Sequence, residues 1–147
     1  MDDLIFRMLP LKKQGYCCSQ ILILLALEEQ GKTNPDLVRA MGGLCWGVAM
    51  SGEICGALSG GACLLSLYTA KGEENDRQDD RYASMMADFA AWFHTKIAAE
   101  YGGIRCDDIL ARYPDKSICA TLVSATYEKV MEILVAYGID PIRGKID

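Results

Sequence analysis

Gly52, Gly56 and Gly60 recur every four residues at the head of the longest uncharged run in the chain, Ile54 to Ala70. That spacing places them on one face of a helix. Each glycine costs a helix about 1 kcal/mol relative to alanine, so these three together with Gly61 forgo about 3–4 kcal/mol of propensity. A helix carries such a face when another backbone or a ligand has to come close to it. The run is too short and too polar for a membrane span, and a buried core helix is the expectation. It should run from Gly52 to about Lys71, with Ser51 as its N-cap and Gly72 as its stop. Leucine at Gly56 or Gly60 should then overpack the interface despite its better helix propensity.

The remaining signals are also helical. Ile21, Leu22, Leu24, Leu25 and Leu27 give a wide apolar face between Gly15 and Gln30, and Gly31 ends that segment. A short helix over Asp3–Leu9 should precede it, stopped by Pro10. Asn34-Pro35 is a helix start, since Asn caps and Pro fits the first turn. Leu44 to Met50 reads as a loop or short helix, and the acidic stretch Gly72 to Asp80 as a flexible loop. A long helix is expected from about Asp79 to Tyr101, with Met85, Phe89, Trp92, Phe93 and Ile97 as its apolar stripe. A short one should cover Asp107–Tyr113. A last one should cover Lys116–Tyr137, capped by Asp115, with a loosely held tail from Asp140 onward. There is no internal repeat, linker or alternating strand pattern. The expected fold is all-α: a single-domain helical bundle over residues 1–147, with about five main helices and short connections.

Composition excludes several functions. Against 15 basic residues stand 20 acidic ones, a net charge of −5. Non-specific nucleic-acid binding needs a basic surface, so no nucleic-acid partner is expected. The start, Met1-Asp2-Asp3, lacks the basic and then apolar run of a secretory signal, and a cytoplasmic location is the expectation. Thiols there are mostly kept reduced, so the seven cysteines are not expected to form a disulfide framework. Cys17, Cys45 and Cys63 read as small buried hydrophobes.

Cys18, Cys55, Cys106 and Cys119 all fall near expected helix starts. The free N–H groups and positive dipole end there favour a thiolate. Cys55 is the one expected to ionise most readily, and to react faster than Cys63 two turns further along the same helix. Glu53, Asp107 and Asp108 oppose ionisation of their neighbours. The elements Gly15-Tyr16-Cys17-Cys18-Ser19-Gln20 and Cys55-Gly56-Ala57-Leu58-Ser59-Gly60, followed by Cys106 and Cys119, resemble the redox-active family named for its C-GCAxxG-C-C cysteine pattern. The resemblance covers nearly the whole chain. It implies that Cys18, Cys55, Cys106 and Cys119 are the four signature cysteines gathered around one site, and it leaves Cys17, Cys45 and Cys63 outside the signature.

A thiol redox protein, cycling between dithiol and disulfide with a redox partner protein, is the leading reading. Gly56 and Gly60 are candidates for close approach to a cofactor. Two alternatives stay open. The four thiols are a suitable ligand set for zinc or an iron–sulfur cluster. The chain could also be a structural or partner-binding helical domain with incidental cysteines. His94, the single histidine, reads as a packing or partly exposed residue, though a cysteine–histidine pair needs only to meet in space. No CxxC, CxxCH, phosphate-loop or HExxH motif occurs.

Overall fold

The computed structural model describes residues 2–145, so Met1 and the last two positions of the expected 1–147 unit lie outside it. The described residues form seven helices and no strand. They are α1 (Asp2–Lys13), α2 (Cys18–Glu29), α3 (Pro35–Met41), α4 (Gly56–Thr69), α5 (82–101), α6 (Cys106–Arg112) and α7 (Ile118–Ala136). The expectation of all-α holds, with seven helices where about five main ones were expected.

α2 is apolar on almost every side, which suits only a central position. Leu22, Leu25 and Ala26 are fully buried, and Ile21, Ile23 and Leu27 nearly so. α4 lies along it and also packs against α5 and α7. The glycines explain how. A Cβ on Gly60 would stand 2.7 Å from the Ser19 Cα of α2. One on Gly61 would collide with the Phe89 ring of α5 and come 2.7 Å from the Thr126 methyl of α7. α4 therefore meets α2 backbone to backbone at Gly60 and meets α5 and α7 backbone to side chain at Gly61, and Leu64 and Leu65 fill the layer below with no exposed surface. Phe89, Phe93 and Ile97 complete the core from α5. Its ladder widens into a π turn over Phe93–Ile97.

Several boundaries differ from the sequence expectation. α1 continues through Pro10 to Lys13, and the Gln14 N–H donates to the Pro10 carbonyl at 3.1 Å. Pro10 and Phe6 are both exposed, so the turn that loses an N–H lies at the surface, where that loss is tolerated. α4 starts at Gly56, four residues later than expected, with Cys55 as its N-cap. Ser51 instead donates its hydroxyl back to the Gly47 and Val48 carbonyls. Gly52 lies outside the helix, at φ +77°, and its missing side chain leaves room for the Asp107 carboxylate. The tail is held where a loose one was expected. The Tyr68 hydroxyl donates to the Pro141 carbonyl at 2.9 Å, and Lys145 pairs with Asp76 at 2.7 Å. Asn34 caps α3 as read, accepting the Leu37 N–H at 3.1 Å.

The segment between α3 and α4 has the most unusual backbone. After a 3-10 turn over Gly42–Leu44, residues 46–50 all have positive φ, from 53° to 79°. This is one turn of left-handed helix, and four of its residues, Trp46, Val48, Ala49 and Met50, are not glycine. Each such residue costs about 1–2 kcal/mol. Hydrogen bonds close the turn: Ala49 N–H to Gly43 at 2.9 Å, Gly52 N–H to Trp46 at 2.9 Å and Glu53 N–H to Gly47 at 2.9 Å.

The contact between α4 and α2 gives a direct test. Gly60→Ala gains about 1 kcal/mol of helix propensity but forces a backbone apart, which typically costs about 1–3 kcal/mol. Denaturant unfolding should show a net loss of stability, larger for Gly60→Leu. Gly43→Ala, where the added methyl meets nothing within 4 Å, should stay within about 0.5 kcal/mol of the parent.

Candidate functional site

Four helix starts meet at one end of the molecule. Cys18 is the first residue of α2, Cys55 the N-cap of α4, Cys106 the first residue of α6 and Cys119 the second residue of α7. The contact of α4 on α2 sets the first two side by side, and a Cβ on Gly56 would stand 3.3 Å from the Cys18 Cβ. A short antiparallel bridge between Ile54 and Arg105 sets the second two. The Cys55 N–H donates to the Ile104 carbonyl at 2.8 Å and the Cys106 N–H to the Glu53 carbonyl at 2.6 Å. Arg105 closes the bridge with two hydrogen bonds of 3.2 Å to the Glu53 carboxylate.

All four cysteines line one cavity of about 630 Å³. Its walls are otherwise largely apolar, with Met8, Ile21, Ile109 and Leu122 among them, and Lys12 and Lys116 also face it. Ile5, Leu9 and Trp46 at its edge are each more than 40 % exposed. The Lys116 ammonium lies 4.3 Å from the Trp46 ring centroid, a cation–π contact joining the 46–50 turn to the start of α7.

The thiols are not equivalent. Cys119 is lowered to about 7, chiefly because Cys18 hydrogen-bonds to it. Burial opposes that shift, while Lys12, Lys116 and its own backbone N–H support it. Cys18 is pushed well above the ordinary thiol range, first by giving its hydrogen to Cys119 and then by burial. The two shifts run in opposite directions, so Cys119 is the more readily ionised of the pair. Cys106 is raised by burial, then by Cys119 and Asp107, with Lys116 opposing.

Cys55 departs from the sequence expectation. Its thiol does receive helix-start N–H groups, from Ala57 and Leu58, but burial outweighs them and pushes it up to about 11. Only 6 % of its surface is exposed. Cys63 is half-buried and also raised by burial. The readily ionised thiol is Cys119.

Cys17 and Cys45 also differ from expectation. They are joined in a disulfide, with Cα atoms 5.9 Å apart, and both line the same cavity. The other five cysteines are free. Sequence reading missed this pair because Cys45 sits beside a left-handed turn that no local pattern announces. It missed Lys12 because α1 was expected to stop at Pro10. Lys116 was legible only as the residue one helical turn before Cys119. His94 is exposed, bonds to the Ala90 carbonyl of its own helix at 2.8 Å and does not face the cavity. Gly60 is buried against Ser19, whereas Gly56 forms part of the cavity wall. Among the described residues no three or more His, Cys, Asp or Glu side chains are placed to hold a metal ion together. The arrangement therefore lends no support to zinc or an iron–sulfur cluster.

The arrangement is a cluster of thiols lining one cavity of an all-helical scaffold. The model of the family described as putative redox-active protein (C_GCAxxG_C_C) matches residues 16–133, and the chain belongs to that family. No curated protein and no solved structure matches it significantly.

The sign of the Cys119 shift fixes a pH profile. A lowered value means that the thiolate is present above about pH 7 and is lost by protonation below it. Mass-resolved alkylation of native reduced protein should label Cys119 first, at half its maximal rate near pH 7. Cys55 should stay unlabelled until far more alkaline conditions. Replacing Lys12 and Lys116 with Gln should move the Cys119 midpoint upward. Cys55 labelling ahead of Cys119 at pH 7 would contradict this assignment.

Proposed function

We propose that the chain is a thiol redox protein that exchanges a disulfide with a redox partner, using Cys119 as the attacking sulfur and Cys18 as the resolving one. The observation that carries this reading is geometric: Cys18 and Cys119 stand at the starts of two helices that pack together and line one cavity with Lys12 and Lys116, and the Cys119 thiol is lowered there. A thiol ionised near neutral pH is close to the optimum for disulfide attack, since a lower value would also reduce nucleophilicity. The Cys119 thiolate attacks a partner disulfide, forming a mixed disulfide and releasing one partner thiolate. Cys18 then loses its proton and attacks Cys119, forming Cys18–Cys119 and releasing the second. The partner gains two electrons and the Cys18–Cys119 pair loses two. The steps run equally in reverse.

Cys55 and Cys106 complete the wall as neutral thiols and carry no step in this reading. Their protonated state keeps the single charge at Cys119. We take residues 1–147 to act as one unit. No helix among the described residues is long and apolar enough to cross a membrane. A cytoplasmic location fits the five free thiols, and the acidic charge balance fits a partner other than nucleic acid.

The test uses a Cys17→Ser/Cys45→Ser variant, which removes the existing disulfide. Reduced anaerobically and given glutathione disulfide, it should form the Cys18–Cys119 bond, with a rate that rises through about pH 7. Adding Cys119→Ser should slow oxidation at least about tenfold, the loss expected when the ionised thiol is replaced by less ionised ones. Adding Cys55→Ser should leave the rate close to the parent. Oxidation that is indifferent to Cys119, or that pairs other cysteines, would defeat the proposal.

A further inference from the structure

The Cys17–Cys45 disulfide lies outside the four-cysteine signature and has the form of a structural staple. Three observations argue for more. The first is redundancy. The segment it ties to α2 is already held by the Ser19 hydroxyl, which donates to the Met41 carbonyl at 2.9 Å, and by the Gln20 amide, which donates to the Val38 carbonyl at 3.1 Å. The second is placement. Both cysteines line the cavity that the signature cysteines line. The third is connection. Cys17 immediately precedes Cys18, the hydrogen-bond partner of Cys119. Cys45 immediately precedes Trp46, which stacks on Lys116, and the Lys116 carbonyl accepts the Cys119 N–H at 3.1 Å. Cys119 is thus linked to the segments of both cysteines.

We propose that Cys17 and Cys45 form a second redox couple, which takes up the oxidising equivalent captured at Cys18–Cys119 and returns the signature pair to its reduced state. This rests on the function proposed above. The exchange is internal and needs no further oxidant. The Cys45 thiolate attacks Cys119 in the Cys18–Cys119 bond, forming Cys45–Cys119 and releasing Cys18, which takes up a proton. The Cys17 thiolate then attacks Cys45, forming Cys17–Cys45 and releasing Cys119. Cys17 and Cys45 give up two electrons and two protons; Cys18 and Cys119 accept the two electrons, one proton goes to Cys18 and the other to solvent, because Cys119 leaves as a thiolate. The departing sulfur of the second step is the one best able to carry charge, which favours that direction. Ser19 is the positioning residue. Its hydrogen is committed to Met41, so its oxygen is left to accept from a reduced Cys17, whose sulfur lies 3.2 Å away, and from Cys45 at 3.9 Å. The end state of this sequence is the one the structure holds: Cys17–Cys45 closed and Cys18 and Cys119 free.

Time-resolved disulfide mapping tests this on the full chain. Fully reduced protein receives one equivalent of glutathione disulfide at pH 8 without oxygen and is quenched in acid at intervals. The Cys18–Cys119 bond should rise first and then fall as Cys17–Cys45 accumulates. In Cys119→Ser, Cys17–Cys45 should form at least about tenfold more slowly, whereas Cys63→Ser, at a residue that does not line the cavity, should not slow it. In a Cys17→Ser/Cys18→Ser variant, which removes both competing partners, the same treatment should trap Cys45–Cys119. Formation of Cys17–Cys45 at an unchanged rate without Cys119, or no Cys45–Cys119 bond in the trapping variant, would overturn the proposal. The Cys17→Ser/Cys45→Ser variant separates the two readings. If it forms Cys18–Cys119 while the transfer fails, only the second couple is lost.

Discussion

The close approach of α4 to α2 at Gly60 and Ser19 is the constraint on which the site depends. With only 2.7 Å between the place of a Gly60 Cβ and the Ser19 backbone, any larger side chain there would have to push the two helices apart. Their starts are therefore held side by side, and Cys18 and Cys55 with them. The remaining two cysteines are attached to this pair by backbone. Residues 52–55 bond to residues 104–107, so the chain entering α4 carries the chain entering α6. α7, packed on both α4 and α2, brings Cys119 to the same place. The glycines forgo helix propensity, and what offsets it is the packing of three helices on α4.

Four thiols at helix starts do not give four thiolates. Two unit charges about 4 Å apart repel by about 4 kcal/mol at an effective dielectric of about 20, the equivalent of about three pKa units. Once one sulfur holds the charge, its neighbours are driven to stay neutral. The choice falls on Cys119 because it alone combines a thiol donor, Cys18, with two nearby ammonium groups. Cys55 has the better cap position, with N–H groups of Ala57 and Leu58 directed at it, yet lies too deep to benefit. A helix start selects for ionisation only where solvent or a counter-charge can share the work.

The fold was largely legible because each long helix carries its own period and stop. α2, α5 and α7 were read within a few residues, from apolar stripes closed by Gly31, Gly102 and Gly138. The convergence of Cys18, Cys55, Cys106 and Cys119 was legible from their shared place near helix starts and from the resemblance. Their ranking was not, because it depends on burial and on Lys12 and Lys116, which reach Cys119 only through tertiary packing. The start of α4 was misread for a related reason. Ser51 is a good N-cap by residue type, but the left-handed turn before it already uses its hydroxyl.

That turn also bears on how the site is built. A helical bundle could join α3 to α4 by a shorter and less strained route. This chain instead holds four non-glycine residues in a left-handed turn, each at about 1–2 kcal/mol. Gly47 is obligatory within it, since a Cβ there would come within 2.6 Å of the Gly52 carbonyl carbon. Strain of this kind persists where the surroundings over-determine it, and here they do so from both ends. At one end Cys45 is bonded to Cys17, and at the other Glu53 is bonded to the α6 entrance. Between them the turn directs Trp46 onto Lys116 and places Cys45 on the cavity wall. The strained segment thus connects the disulfide to the thiolate, and opening Cys17–Cys45 removes one of the two anchors that hold it. Trp46 ties the segment that carries the disulfide to Lys116, one of the charges that lowers the Cys119 thiol.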